Sequence, residues 1–210
     1  MLKLSKCSFG VREINVFGHI VSGQGIHPDN KKIDAVTNAP GPKCASELHS
    51  FLGVTYYCSR YVPDCSSVTY PLRQLARTTS SFHWRKEQDD SFIKLKQAIA
   101  SPQVLAHYSL TAPTQLAVYV SPWVLGAVLL QQQADFTYRP IAYGSRSLTE
   151  IEMKYAQLEK EFLAIVFGCK HFHQYLYGRN FELETDHRPL EHIFQDSRFS
   201  LLPFYLISYY

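Results

Sequence analysis

Residues 115–131, with the sequence QLAVYVSPWVLGAVLLQ, decide the fold class of this chain. The segments 115–120 and 124–131 are apolar and rich in β-branched residues, a composition that favours strands. Ser121-Pro122-Trp123 lies between them and reads as a turn, so the two segments are predicted to form a β-hairpin. Residues 139–144 are predicted to form a third strand.

A long amphipathic helix is predicted to follow these strands. Thr149 and Glu152 have the spacing of a capping box at the start of a helix, and Gly178 supplies a stop after Tyr177. The apolar stripe predicted to face the core comprises Leu158, Phe162, Ile165, Cys169, Phe172 and Leu176.

The last assignable elements are a fourth strand, residues 180–186, and a short helix that begins at Pro189. Phe181, Leu183 and Thr185 alternate with acidic residues in this strand, so they are predicted to share one face. The order β-β-β-α-β-α predicts a mixed sheet with a packed helix, an α/β layer rather than a helical bundle or a sandwich. Beyond Phe199 the pattern supports no assignment.

The N-terminal half has a different pattern, a short β segment followed by helices. Residues 13–21 are predicted to form one strand and residues 22–25 a turn, which together indicate a β-hairpin. Pro28 suits the first position of a helix that ends at Ala39-Pro40-Gly41-Pro42. Three further helices are predicted from apolar residues at helical spacing, namely Leu48, Phe51, Leu52 and Thr55, then Leu72 and Leu75, then Phe92, Leu95 and Ile99.

A proline-punctuated segment, residues 101–113, separates the mainly helical region from the strand-rich one. We therefore predict a domain border near residue 108. The resulting division is an N-terminal β segment (1–27), a mainly helical region (28–107) and the α/β layer (108–210), an α+β chain overall.

Composition restricts the class of protein without naming a partner. Hydrophobic residues make up 46% and charged residues 19% of the chain, as in folded globular proteins. A net charge of +3 permits nucleic-acid binding without establishing it. The five cysteines include no C-x-x-C pair, and the apolar runs are too short to span a bilayer. We expect an intracellular protein, in cytoplasm or nucleus, with no membrane segment.

Two carboxylates are candidates for chemistry from position alone. Glu161 borders the predicted apolar stripe, and Asp186 ends the fourth strand just before a helix. If that strand packs beside that helix, both acids converge on a divalent cation. The alternatives are that Glu161 reaches water at the stripe boundary and that Asp186 only caps the Pro189 helix.

A family resemblance extends over nearly the whole chain. The N-terminal motifs resemble the palm end and thumb of Ty3/gypsy-type reverse transcriptases, and the motifs after them resemble that family's connecting region. The first set is Phe17-Gly18-His19-Ile20-Val21, Gly25-Ile26-His27-Pro28, Ser50-Phe51-Leu52-Gly53, Tyr56-Tyr57 and Tyr61-Val62-Pro63. The second set is Pro71-Leu72, Phe82-His83-Trp84 and Pro102-Gln103-Val104-Leu105.

The remaining motifs are similar to the RNase H domain of the same family. They are Ser121-Pro122-Trp123, Gly126-Ala127-Val128-Leu129, Tyr155 with the run Glu161–Val166, and Thr185-Asp186-His187-Arg188-Pro189-Leu190. The resemblance implies an RNase H-like domain over residues 108–210, and a thumb and connection over residues 28–107. Residues 1–27 are the expected end of the palm.

The resemblance also implies an activity, the hydrolysis of the RNA strand of an RNA/DNA hybrid. In this family a cluster of carboxylates holds two Mg²⁺ ions, which activate the attacking water and stabilise the leaving oxygen. Glu161 and Asp186 match the motifs of two ligands. Phe17-Gly18-His19 matches the element that positions the primer end, with RNA/DNA hybrid or duplex as the expected partner; simple hairpin packing is the alternative.

The first ligand of the family falls two residues before Ser121-Pro122, where this chain has Tyr119. A phenol with an ordinary pKa near ~10 is neutral at pH 7 and cannot replace a carboxylate. One unit charge ~4 Å from Mg²⁺ contributes about 8 kcal/mol at an effective dielectric of ~20. Half of that value still corresponds to about a thousandfold in affinity. The substitution predicts RNase H activity that is absent or very weak.

Two further expectations concern the limits of this sequence. No motif matching the family's final carboxylate precedes Tyr210, and Asp196 has no claim to that role, so we expect the RNase H-like domain to be incomplete at its C-terminus. No Tyr-x-Asp-Asp motif precedes Val16, so we expect no polymerase activity from this chain alone. The open alternatives are a reverse transcriptase fragment with a broken hydrolytic site, a non-cleaving nucleic-acid-binding module and a non-functional relic.

Overall fold

The computed structural model describes residues 7–77 and 82–185, and the backbone of residues 204–208. Two β-sheets and six α-helices occur in this part of the chain. The predicted class, α/β in its second half and α+β overall, is confirmed. The short helix predicted at Pro189 lies outside the described residues.

The N-terminal sheet has three antiparallel strands: β1 (Glu13–Val16), β2 (His19–Ser22) and β3 (Gly25–Pro28). The predicted single strand over residues 13–21 is wrong because the chain reverses at Phe17-Gly18. Both residues have positive φ, 53° and 82°, the geometry of a two-residue hairpin turn of type I′. The predicted two-stranded hairpin is therefore a three-stranded sheet.

The first helix, α1 (Asn30–Thr37), begins later than predicted. Pro28 is the last residue of β3 and not the first of the helix. Asp29 is the N-cap, and its carboxylate accepts the N–H of Lys31 at 3.1 Å. A side-chain cap thus sets the helix start, because it satisfies a backbone N–H that has no partner within the helix.

The three further predicted helices are confirmed as α2 (Ala45–Cys58), α3 (Cys65–Arg77) and α4 (Lys86–Ala100), with a 3-10 turn at Ser59–Tyr61. Their apolar faces form one core with α1. Its buried members include Val36, Leu48, Phe51, Leu72, Phe92, Leu95 and Ile99.

The second sheet has the strand order β6-β5-β4-β7-β8. Its strands are β4 (Thr114–Val120), β5 (Val124–Gln132), β6 (Tyr138–Ser147), β7 (Phe181–Glu184) and β8 (Phe204–Ser208). The first three are antiparallel, as the hairpin prediction requires, whereas β7 runs parallel to β4, and β8 runs parallel to β7. The sheet is therefore mixed, and β8 lies where the sequence supported no assignment.

The predicted long helix is divided into α5 (Gln157–His171) and α6 (His173–Leu176). Thr149 and Glu152 do form reciprocal hydrogen bonds, at 2.8 and 3.2 Å, but these open only a 3-10 turn, Glu152–Lys154. The prediction that the capping box starts the long helix is therefore wrong. Gly178 follows α6 with φ of +70°, consistent with the predicted stop.

The buried face of α5 also differs from the predicted stripe. Leu158 and Phe162 are 38% and 41% exposed, whereas Glu161, Ala164, Ile165 and Gly168 are buried. The reason is close packing: a Cβ at residue 168 would lie 3.1 Å from a methyl carbon of Val118 and 3.2 Å from Leu116. Small residues let the helix approach the sheet, so the helix turns this face inward rather than its bulkier one.

The face of β7 agrees with the prediction, since Phe181, Leu183 and Thr185 are all buried. None of the described helices combines the length and the apolar character that crossing a membrane requires. The domain borders near residues 27 and 107 remain predictions.

Candidate active site and the surfaces around it

Glu161 lies on the buried face of α5 and is only 3% exposed. The burial argues against the alternative in which its side chain reaches water at the boundary of the apolar stripe. The side-chain amide of Gln157, one turn earlier, donates to Oε1 of Glu161 at 2.6 Å. A buried carboxylate on a helix that packs against a sheet is costly in solvation and needs polar partners. The position is therefore unusual for a purely structural residue.

Tyr119 lies near the end of β4, directly opposite Gly126 on β5. Its ring covers this glycine so closely that a Cβ at residue 126 would lie 1.8 Å from Cζ of Tyr119. Leu116 and Val118 contact α5 at Gly168, so alternation along the strand directs Tyr119 to the other face of the sheet. Gly126 thus provides the space that the tyrosine ring fills.

The N-terminal end of α3 covers this second face. The N–H of Ser66 donates to Oγ of Ser145, which is paired with Gly126, at 3.0 Å. The neighbouring Asp64 has φ of +48° and is held by Ser67, whose Oγ donates to its carboxylate at 2.7 Å. The ring of Tyr119 therefore lies half-buried between the second sheet and the start of α3.

Burial, followed by the adjacent and hydrogen-bonded carboxylate of Asp64, raises the pKa of Tyr119 well above its usual value. The phenol is therefore neutral at physiological pH and cannot supply the charge of a carboxylate. The sequence motifs point to Tyr119 but not to Asp64, because no local sequence pattern links two residues so far apart in the chain.

Asp186 lies outside the described residues. The strand before it, β7, is the parallel neighbour of β4, with Glu184 opposite Ala117. The structure thus brings together the two strands that were predicted to carry site residues, and it packs α5, which carries Glu161, against β4 and β5. Burial and the nearby Glu182 raise the pKa of Glu184.

The described residues do not fit a two-ion magnesium site. Within residues 7–77 and 82–185, no group of three or more His, Cys, Asp or Glu side chains is placed to hold a metal ion. Glu161 belongs to the face of the sheet that α5 covers, whereas Tyr119 extends from the opposite face and remains neutral. The assignment of Glu161 and Asp186 as magnesium ligands remains a prediction.

The Phe17-Gly18-His19 segment forms a rigid turn with one exposed ring. The Tyr57 hydroxyl donates to the carbonyl oxygen of Phe17 at 2.5 Å, and the His19 ring stacks on Tyr57 with centroids 4.6 Å apart. His19 Nδ1 lies 2.5 Å from the Tyr61 hydroxyl. Phe17 is 93% exposed, so the turn presents an aromatic ring to solvent.

This fold and site define a class of protein. Residues 84–183 match the family described as the RNase H-like domain found in reverse transcriptase. The match covers just under half of the chain and indicates an RNase H-like domain of the reverse transcriptase type. The match includes β4 to β6, α5 and α6, and it reaches Leu183 in β7.

The particular relatives are retroelement polyproteins. The chain is 32% identical over 192 residues to the transposon Tf2-3 and Tf2-4 polyproteins of Schizosaccharomyces pombe. The aligned region is 90% of this chain and 14% of each polyprotein, so the chain spans about a seventh of these relatives. These matches confirm the resemblance to Ty3/gypsy-type reverse transcriptases.

Solved structures with the same fold come from foamy virus. The protease-reverse transcriptase in complex with dsDNA superposes with a TM-score of 0.79 at 18% identity, over 95% of this chain and 45% of that one. The same protein in complex with RNA/DNA hybrid gives a TM-score of 0.76 at 20% identity, over 95% of this chain and 29% of that one. At this level of identity the similarity shows the fold.

Proposed function

We propose that this chain is a thumb, connection and RNase H-like portion of a retroelement reverse transcriptase that binds duplex nucleic acid, including RNA/DNA hybrid, but cleaves the RNA strand weakly or not at all. The family of residues 84–183 and the polyprotein relatives support the first part. The state of Tyr119 supports the second.

The single observation that carries the loss of cleavage is the environment of Tyr119. The ring is packed on Gly126, and the carboxylate of Asp64 beside the hydroxyl keeps the phenol protonated. A family site that needs a carboxylate on this strand has a neutral, immobilised phenol here. We therefore propose that Glu161 and Asp186 alone do not hold two Mg²⁺ ions at ordinary concentrations.

Nucleic-acid binding is supported by the turn at Phe17-Gly18. Phe17 is available for stacking, and the turn beneath it is fixed by Tyr57, so little conformational freedom would be lost on contact. The foamy viral proteins of the same fold were solved with dsDNA and with RNA/DNA hybrid. The alternative in which residues 17–19 serve only for packing predicts no change in binding when Phe17 is truncated.

The test is a paired binding and cleavage experiment on the unaltered chain with a labelled RNA/DNA hybrid. We expect binding that weakens as salt increases, because phosphate contacts release counterions, and no RNA cleavage on addition of Mg²⁺. Phe17→Ala should weaken binding, whereas Phe136→Ala, at another exposed phenylalanine in a turn, should not. Mg²⁺-dependent cleavage that Asp186→Asn abolishes would contradict the proposal, and the lack of a cooperative thermal transition would favour a non-functional relic.

A further inference from the structure

A cavity of about 490 Å³ lies where the N-terminal sheet, α2, α3, β6 and the end of α5 meet. Its volume is within the range of sites that bind small molecules. The basic side chains in its lining are Arg60, Arg73, His19 and His171. Asp and Glu are missing from the described residues that line it.

The two arginines are not neutralised by the described part of the chain. Neither forms an ion pair with a described carboxylate, since the ion pairs there join Arg139 to Asp135 and Arg146 to Glu152. Arg73 Nε donates to the Thr69 hydroxyl, at 3.1 Å. Arg60 Nε is buried and has no hydrogen-bond partner among the described residues. A buried guanidinium N–H without an acceptor is costly, and an incoming oxyanion would supply one.

The electrostatic field in the cavity is positive. Burial, and then the positive charge of Arg60, lowers the pKa of both His19 and His171. The charge of the Arg60 guanidinium therefore acts on both histidines of the lining. Arginine is suited to phosphate because its planar donor fork matches two phosphate oxygens. The lining thus favours an anion with several oxygens over a neutral or cationic molecule.

Aromatic side chains line the same cavity. Tyr56 is 71% exposed and Tyr143 contributes from β6, where its hydroxyl donates to the side-chain oxygen of Gln103. Rings of this kind offer a flat surface to a purine or pyrimidine, and the volume exceeds what one phosphate group requires. Phosphate and ring recognition therefore occur together in one cavity.

We propose that this cavity binds a nucleoside phosphate, either free or at the 5′ end of a strand, with the phosphate held by Arg60 and Arg73 and the base against Tyr56. The site is separate from the face that carries Glu161 and does not depend on RNase H chemistry. It adjoins the turn that presents Phe17, since His19 and Tyr57 both line the cavity and hold that turn.

The test is calorimetric titration of the full chain with adenosine 5′-monophosphate, adenosine and inorganic phosphate. Adenosine monophosphate should bind at one site, with adenosine at least about tenfold weaker because it lacks the charged acceptor. Equal affinity for the nucleoside and the nucleotide would overturn the proposal. A 5′-phosphorylated oligonucleotide that binds better than its unphosphorylated form identifies a strand end as the source, and equal binding of the two identifies the free nucleotide.

Variants test the assigned residues. Arg73→Gln should weaken nucleotide binding at least about tenfold, whereas Arg77→Gln, one turn later in α3 and exposed, should have no effect. Gly53→Leu adds a side chain at a lining position where a Cβ meets no atom within 4 Å, so it should block the cavity while the protein still folds. Arg60→Gln tests the second arginine in the same way. If that variant fails to fold, Arg73→Gln and Gly53→Leu still test the site. Unchanged nucleotide affinity in both Arg73→Gln and Gly53→Leu would refute the site.

Discussion

Tyr119 has two physical roles in this fold, as a space-filling ring on Gly126 and as a phenol that lies beside the carboxylate of Asp64. Both roles connect the second sheet to the start of α3. A carboxylate at residue 119 could perform neither, because it is smaller than the ring and would repel Asp64. Tyr119, at the position that the family resemblance assigns to a metal ligand, therefore also connects the two halves of the chain.

The contact with Asp64 predicts the effect of removing only the hydroxyl. Tyr119→Phe keeps the ring on Gly126 but removes the hydroxyl beside Asp64, whose carboxylate then retains the Ser67 hydroxyl as a donor. We expect a loss of about 1–2 kcal/mol in the free energy of unfolding. Urea denaturation measures this difference. Tyr177→Phe, at a tyrosine that is 78% exposed, is the matched control and should change stability very little. Equal stabilities for the two variants would refute the role of the hydroxyl.

Tyr119→Asp tests the electrostatic part of the same contact. We expect a larger loss, about 3 kcal/mol or more, because the variant loses the buried ring and places a second carboxylate beside Asp64. Because the two carboxylates repel each other less when one is protonated, the variant should be more stable at low pH than at pH 7. Adding Asp64→Asn should restore part of the stability at pH 7, as measured by urea denaturation.

Failure of Asp64→Asn to stabilise Tyr119→Asp would show that the two carboxylates do not interact.

The turn between β1 and β2 depends on a glycine. Gly18 has φ of +82°, and a Cβ there would lie 2.9 Å from the hydroxyl oxygen of Tyr57, which also holds the Phe17 carbonyl. We predict that Gly18→Ala lowers stability by about 1–2 kcal/mol and weakens hybrid binding. Thermal unfolding and hybrid titration measure the two effects.

Gly23 supplies the control for this turn, since a Cβ there meets no atom within 4 Å. Gly23→Ala should leave both stability and hybrid binding close to those of the unaltered chain. A Gly18→Ala variant as stable as Gly23→Ala would mean that the turn tolerates a side chain.

The connection between β6 and α5 contains a pH-dependent contact. Hydrogen bonds from the Arg146 guanidinium, at 2.8 and 2.9 Å, are the main cause that lowers the pKa of Glu152 to about 2, from a usual 4.5. Because the folded pKa is the lower one, the contribution to stability is complete above pH 4.5 and is lost as the pH falls towards 2.

We therefore predict that Glu152→Gln costs about 1 kcal/mol at pH 7, a value reduced by solvent screening, and that this difference vanishes near pH 2. Chemical denaturation at a series of pH values measures it. Glu150→Gln, at an exposed neighbour, should cost little at any pH. A Glu152→Gln difference that persists unchanged at low pH would contradict the assignment.

The elements that the sequence predicts well are those determined by local patterns. The β4–β5 hairpin follows from apolar segments around Ser121, whose Oγ accepts the N–H of Val124 at 3.0 Å. The inward face of β7 follows from simple alternation. The break at Phe17 was missed because a β-like composition continues through it, although Gly18 was a signal.

The face of α5 was missed for a packing reason. The predicted apolar stripe includes Leu158 and Phe162, whereas the residues that allow the closest approach of the helix to the sheet are Ala164 and Gly168. Motifs located Glu161 and Tyr119 in the candidate site. They could not locate Asp64 or the arginine-lined cavity, because those groupings depend on tertiary contacts between distant segments.

The described part of the chain contains two hydrophobic cores, which polar contacts connect. Ile26 and Leu105 exchange backbone hydrogen bonds of 2.8 and 2.9 Å, and His107 Nε2 lies 2.6 Å from the carbonyl oxygen of Ser22. These bonds join the N-terminal sheet to the segment before β4, and the contact of Ser66 with Ser145 joins α3 to β6. The surface left between the two halves forms the arginine-lined cavity.

At the scale of the whole molecule, we propose that the chain has the fold of reverse transcriptases and that its second sheet lacks a complete site for two metal ions. The most direct measurement is a crystal of the unaltered chain soaked in Mn²⁺ as a stand-in for Mg²⁺, with an anomalous difference map. We predict no pair of metal peaks near Glu161 and Asp186. Two peaks about 4 Å apart, coordinated by these two carboxylates, would contradict the claim.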